Sequence, residues 1–254
     1  MIDVGPALPG VRRVEHIMGM PILVDVRDEK VEEAALCRLF AWLEWVDTTF
    51  STYKEDSEIS RLRRGELALA DAHADVRAVL ERCEDLRVET NGFFDAEADG
   101  SLDPSGLVKG WSVDRGAAIL DEAGVRNYAI NAGGDVWLRG RGIPDPEWRV
   151  GIEHPLLPDK VAAVVAIRDG GVATSGEYAR GKHVINPHTG APPEGVLSVT
   201  ITGPELATAD AYATAVFAMG EDGPGWTASL TGYEALTILT DGRVLSTPGF
   251  PRGE

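Results

Sequence analysis

Between residues 148 and 201 the chain passes through a quick succession of short β-type runs punctuated by glycine. No other stretch limits the possible folds as strongly. The runs at 148–153, 162–167, 172–174, 183–186 and 196–201 are apolar or β-branched, too short for ordinary helices, and read as strands. Asp169-Gly170-Gly171 predicts a hairpin turn between two of them. Residues 14–26 and 234–246 add two strand pairs, the second turning at Asp241-Gly242. A sheet built this way needs a cover, and the helical patterns supply it. Residues 30–46 put Val31, Ala35, Leu39, Trp42, Leu43 and Val46 on one helical face, and residues 74–88 do the same with Val76, Val79, Leu80, Cys83 and Leu86. Asp56 or Ser57 caps a short helix between them. Leu107 to Gly110 leads into a third long helix that passes Val113, Asp114, Ala117 and Leu120 and closes near Gly124. Another begins at 206–210 and stops at Gly220. The expected fold class is α/β in the broad sense, of the α+β kind.

Charge narrows the partners. Forty-one acidic and 24 basic residues leave a net charge of -17, which argues against a broad nucleic-acid surface. A small anionic ligand is still possible where cations, backbone N–H groups or a metal gather locally. Cys37 and Cys83 lie in helical patterns without metal-type spacing, so two buried thiols in a reducing compartment are expected. The first 13 residues read as a tail before a domain over 14–250. They hold no signal-type apolar core and no lipobox cysteine, and no run reaches membrane-spanning length. A cytoplasmic protein without stable membrane insertion is the expectation.

Chemistry concentrates between Gly171 and Gly190. Ala173-Thr174-Ser175-Gly176 makes a small-residue turn, and Tyr178, Arg180 and Lys182 lead to His183, Val184 and Ile185. Basic groups and hydroxyls at such density suit a phosphate, with His183 at a strand edge. Taken alone, His183 reads as a surface or core histidine sooner than as a functional one. Asp210 and Thr214 are four apart, share a helix face, and offer the hard oxygens that Mg²⁺ takes alongside phosphate and water. Alone, Asp210 would read as electrostatic capping of a helix start. Met18-Gly19-Met20 reads as a β-bulge with core methionines. Asn131-Ala132-Gly133-Gly134-Asp135 interrupts a strand, either as a bulge or for close backbone approach to a ligand. Lys109 follows a small-residue turn at a helix start and suits an anionic oxygen, but Walker spacing is absent, and so is the GxGxxG of a Rossmann unit.

Taken in order, MGM, FSTYKEDSEISRL, GFFDA, DPSGLVKGWSVD, NAGGD, ATSGEY, HVINPHTG and TADAYATAVFAMG resemble the ApbE family of flavin transferases over nearly the whole chain. The resemblance implies a single ApbE/T-fold-like domain with two lobes around a flavin cleft. It implies FAD as substrate, Mg²⁺ as cofactor, and a partner flavoprotein carrying a target threonine. The family reaction moves FMN from FAD to that threonine and releases AMP; some members hydrolyse FAD to FMN and AMP instead. By the same resemblance, Asp210 and Thr214 match the metal-binding helix start, and Gly106 matches the residue whose carbonyl completes the metal site. Met18, Tyr53, Phe93, Phe94, Asp95, Asp103, Lys109 and Ile185 match flavin-nucleotide contacts, and His183 matches the base that deprotonates the acceptor. The chain departs from the pattern at Met20, where many members carry threonine, and at Asn186 and His188, where an acid and an arginine are common. The segment between Asp95 and Asp103 is short. A diphosphatase or a non-catalytic flavin-binding protein would share most of these motifs.

Overall fold

The computed structural model describes residues 9–157, 159–176 and 184–253. Strands β1 (Val11–Ile17) and β2 (Met20–Val26) form the first hairpin. Its register is unbroken from Val11 opposite Val26 to Ile17 opposite Met20. Met18 and Gly19 have φ of 55° and 72°, the paired positive values of a type I′ turn. The expected bulge is therefore a turn. β1 also starts earlier than the expected strand, at Val11, where it pairs with Val26 at the end of β2.

Four helices follow: α1 (Glu33–Phe50), α2 (Glu58–Arg63), α3 (Ala74–Glu89) and α4 (Ser105–Glu122). Ser57 caps α2 as expected, its side chain accepting from the Ser60 N–H at 3.0 Å. Cys83 is buried on α3, and burial pushes its thiol up to about 12. Cys37 is exposed on α1, against the expectation, because it falls on the solvent side of that helix.

The second half supplies β3 (Tyr128–Ala132), β4 (Asp135–Arg139), β5 (Trp148–Glu153), β6 (Val161–Ile167), β7 (Gly170–Gly176) and β8 (Val196–Gly203). Helices α5 (Leu206–Met219) and α6 (Gly223–Thr227), then β9 (Glu234–Leu239) and β10 (Val244–Ser246), complete it. Gly133 and Gly134 turn the chain from β3 into β4 with φ of 60° and 102°. The interrupted strand of the sequence reading is thus two antiparallel strands. Val184 and Ile185 belong to no strand; among the described residues, a bridge pairs Asn186 with Ala191 nearby. Eight strands make one antiparallel sheet in the order β1-β2-β3-β4-β7-β8-β9-β10, and β5–β6 form a separate pair. One sheet face packs on α1, α4 and α5, and the other on β5–β6 through Trp148, Ile152 and Val165. A third cluster, from Val46 to Met219, joins α2 and α3 to α4 and α5. No helix among the described residues is long and apolar enough to cross a membrane.

The crossing of α4 and α5 fixes the site. Helix α5 is alanine-rich and buried on nearly all sides, which suits a helix inside the core. A Cβ on Gly110 would lie 2.5 Å from the Leu206 carbonyl oxygen, so only glycine lets α5 begin so close to α4. One turn further along α4, Asp114 accepts from the Leu206 N–H at 3.1 Å and the Ala207 N–H at 2.8 Å. The cap of α5 thus comes from another helix. Burial raises the Asp114 carboxyl to about 6, against the two backbone N–H bonds that lower it. Its unfolded value is about 3.9. Between those pH values the native state holds a proton that the unfolded chain has released, so stability falls as pH rises through the window and levels off above it. Asp114→Asn keeps an acceptor oxygen but cannot ionise. Urea unfolding from pH 4 to 7 should show the difference between variant and parent moving in the variant's favour by at most about 3 kcal/mol. A constant difference would refute the burial of this charge.

Candidate functional site

A cleft of about 350 Å³ opens where α4, α5, the end of β7 and the segment after α3 converge. From the helical side it is lined by Tyr53, Phe93, Phe94, Asp95 and Asp103, and from the loop after β7 by Ile185. Tyr53 is 96% exposed, so its ring stands over the opening with little packed on it. Phe94 is buried and its N–H donates to Thr90 Oγ1 at 2.9 Å. Asp95 Oδ1 accepts from the Glu97 N–H at 2.8 Å, and Asp103 Oδ1 from the Ser105 N–H at 3.0 Å. Both acids therefore stabilise the turns that shape the wall.

The floor carries Gly106, Lys109, Asp210 and Thr214. Lys109 lies in the second turn of α4 and reaches Asp135 Oδ2 at 2.6 Å and Asp210 Oδ1 at 3.4 Å. Asp135 is 1% exposed, and its Oδ1 accepts from the Thr174 N–H at 3.1 Å. Asp210 Oδ2 is buried with no hydrogen-bond partner among the described residues. Burial pushes the Asp210 carboxyl upward; Lys109 opposes this and Asp135 adds to it. Two buried carboxylates thus face one ammonium, and the deficit of positive charge lies at Asp210.

Thr214 sits one turn beyond Asp210 on the same face, its Oγ1 3.4 Å from Ser175 Oγ. A Cβ on Gly106 would lie 3.6 Å from Thr214 Oγ1, which sets the first turn of α4 against it. Among the described residues no three His, Cys, Asp or Glu side chains gather as a metal cage. The donor set is instead one carboxylate with an unmet oxygen, one hydroxyl and nearby backbone. Mg²⁺ suits so sparse a hard-oxygen set because it keeps several waters and takes substrate phosphate. The residues fit the ion.

Ten of the twelve residues expected at the site therefore meet in one cleft. Met18 does not line it; it is partly buried at the β1–β2 turn and packs against the two larger core clusters. His183 lies outside the described residues, as do Tyr178, Arg180 and Lys182. Sequence reasoning missed Asp135 as the ion-pair partner of Lys109, and missed Ser175 beside Thr214. An acid directly after a Gly-Gly turn, at an inward strand position, was the available signal, because a buried carboxylate needs a partner.

The profile of the ApbE family matches residues 18–100 and 96–237. Two relatives called FAD:protein FMN transferase illustrate the likeness. The one from Vibrio cholerae is 32% identical over 169 residues, covering 63% of this chain and 51% of its own. The one from Rhodobacter capsulatus is 31% identical over 218 residues, covering 82% of this chain and 39% of its own. The chain spans about half or less of the length of these relatives. In fold it is similar to the solved flavin transferase ApbE from Vibrio cholerae, with a TM-score of 0.82, 23% identity, and coverage of 94% of this chain and 97% of that one. It is equally similar to the ApbE protein of Thermotoga maritima, with a TM-score of 0.82, 22% identity, and coverage of 96% and 99%. With motifs, cleft and fold in agreement, the chain belongs to the ApbE family.

Proposed function

We propose that the protein is an FAD:protein FMN transferase that moves FMN from FAD to a threonine of an acceptor flavoprotein, depends on Mg²⁺, and releases AMP. The observation that carries this reading is the unmet buried oxygen of Asp210 beside Thr214 and Gly106, in a cleft walled by aromatic side chains.

In this reading Asp210, Thr214 and the Gly106 carbonyl hold the ion, which supplies charge neutralisation at the diphosphate oxygens when bound. Lys109 adds a second positive charge at the same end of the cleft, steered by Asp135. Tyr53, Phe93 and Ile185 bound the space for the flat part of the dinucleotide. The threonine hydroxyl attacks the FMN phosphorus, the bond from that phosphorus to the AMP oxygen breaks, and AMP departs with the electron pair. The proton of the hydroxyl goes to His183, a role that rests on the family resemblance. An imidazole with a pKa of about 6.5 is suited to accept it near neutral pH.

Incubation with FAD and Mg²⁺, with and without a threonine-containing acceptor fragment, tests the reading. AMP and a covalently fluorescent acceptor are expected. AMP with free FMN in both tubes would mean an FAD diphosphatase, or an acceptor that is not the protein's own. FAD recovered intact, with Mg²⁺ present and the protein folded, would leave a flavin-binding protein as the better account.

A further inference from the structure

The two walls of the cleft are joined at the rim by one side chain that no role yet described uses. Residues 186–190 form a turn tied to itself. Asn186 Oδ1 accepts from the His188 N–H at 2.9 Å, and the Asn186 carbonyl accepts from the Gly190 N–H at 2.8 Å. His188 is exposed on this turn, while Ile185 and Pro187 beside it line the cleft. Opposite it stands the turn that ends α3. There Asn91 and Gly92 have φ of 54° and 83°, and the Gly92 N–H donates to the Arg87 carbonyl at 2.7 Å.

His188 Nε2 lies 3.0 Å from the Asn91 carbonyl oxygen. A carbonyl only accepts, so Nε2 carries the proton and donates. The His188 ring also meets Phe93 edge-on, with centroids 4.5 Å apart and planes at 74°. A Cβ on Gly92 would lie 3.2 Å from His188 Cε1, so the glycine leaves the room this approach needs. The hydrogen bond, the ring contact and the glycine are three separate features that meet at one point.

We propose that His188 is a positioning residue: it latches the loop carrying Ile185 and Pro187 to the turn carrying Phe93 and Phe94, and so presets the width of the cleft for the flavin dinucleotide. The ligand named here rests on the function proposed above; the latch itself does not. A slot already at its bound width loses less conformational freedom when the ligand enters. His188 touches no reacting atom, so its effect falls on binding and leaves the chemical step unchanged.

The test uses the full chain with His188→Ala and His188→Gln. The glutamine amide can still donate to the Asn91 carbonyl. Amide hydrogen exchange without ligand is measured across 90–94 and 184–191. His188→Ala should exchange faster than the parent in both segments, and His188→Gln should stay close to the parent. FAD binding is then followed by flavin fluorescence. His188→Ala should weaken the dissociation constant about tenfold, with kcat at saturating FAD within about twofold. His188→Gln should recover most of the loss. Unchanged exchange, or unchanged FAD affinity in His188→Ala, overturns the latch. A glutamine variant as weak as the alanine one does so too. A parent that binds no FAD while His188→Ala still speeds exchange overturns the proposed function and leaves the latch standing.

Discussion

Asp210→Asn is expected to lower the proposed FMN transfer by at least about 10³-fold while leaving the protein as stable as its parent or more so. The two effects have one cause. A carboxylate oxygen buried without a partner is unfavourable for folding, and Asp210 Oδ2 is such an oxygen. The group persists where a fold optimised for stability would replace it with a neutral one. Asparagine keeps the shape, removes the buried charge, and leaves Lys109 its shorter ion pair with Asp135 at 2.6 Å. What is lost is the anionic ligand that would hold a divalent cation. Charge neutralisation at the diphosphate contributes several kcal/mol to such reactions, and each 1.4 kcal/mol is a factor of ten in rate. Thermal melting with and without Mg²⁺ separates the two effects. The parent should gain stability with the ion, by about 2.7 kcal/mol at a hundred times its dissociation constant, and the variant should gain none. An equal Mg²⁺ response in the variant would remove Asp210 from the metal site.

The elements that sequence reasoning placed well are those whose signals are local. The face from Val76 to Leu86 needs only its own period to be a helix, and Ser57 needs only the N–H three residues on to be a cap. The misreadings fall where the deciding contact is distant or where glycine permits several outcomes. Gly133-Gly134 suits a bulge, a ligand approach or a turn; the pairing of Ala132 with Asp135 makes it a turn. Val184 and Ile185 have strand-forming side chains, yet Val184 packs on the main core and Ile185 faces the cleft, which takes them out of a ladder. The site divides the same way. Asp210 and Thr214 are four apart on one helix, so their spacing alone puts them side by side, and both line the cleft. Asp114 caps a helix 92 residues away, and Asp135 meets Lys109 only because β4 lies beside β7 and α5 lies on α4. No periodicity announces contacts of that kind.

Asp135→Asn tests the part of the site that the sequence kept hidden. The amide retains an oxygen for the Thr174 N–H, so the β4–β7 junction should hold. It cannot pair with an ammonium through its NH₂ group. With the 2.6 Å partner gone, Lys109 is drawn toward Asp210, whose Oδ1 is already 3.4 Å away. Two consequences follow. Under the proposed function, Lys109 leaves the position from which it would face the diphosphate, and the rate at saturating Mg²⁺ should fall about 10²-fold. Its charge would also neutralise Asp210, the carboxylate proposed to hold the cation, so the apparent Mg²⁺ dissociation constant should rise about tenfold. The second effect distinguishes steering from mere damage. Adding Lys109→Met to Asp135→Asn removes the competing ammonium, so Mg²⁺ affinity should return toward that of the parent while the rate stays low. Such reversal is a coupling between the two positions, which independent structural lesions would not show. Calorimetric titration of Mg²⁺ into the two single variants and the double variant reads it directly. If the double variant binds Mg²⁺ as weakly as Asp135→Asn, the carboxylate of Asp135 does not keep Lys109 away from the metal site.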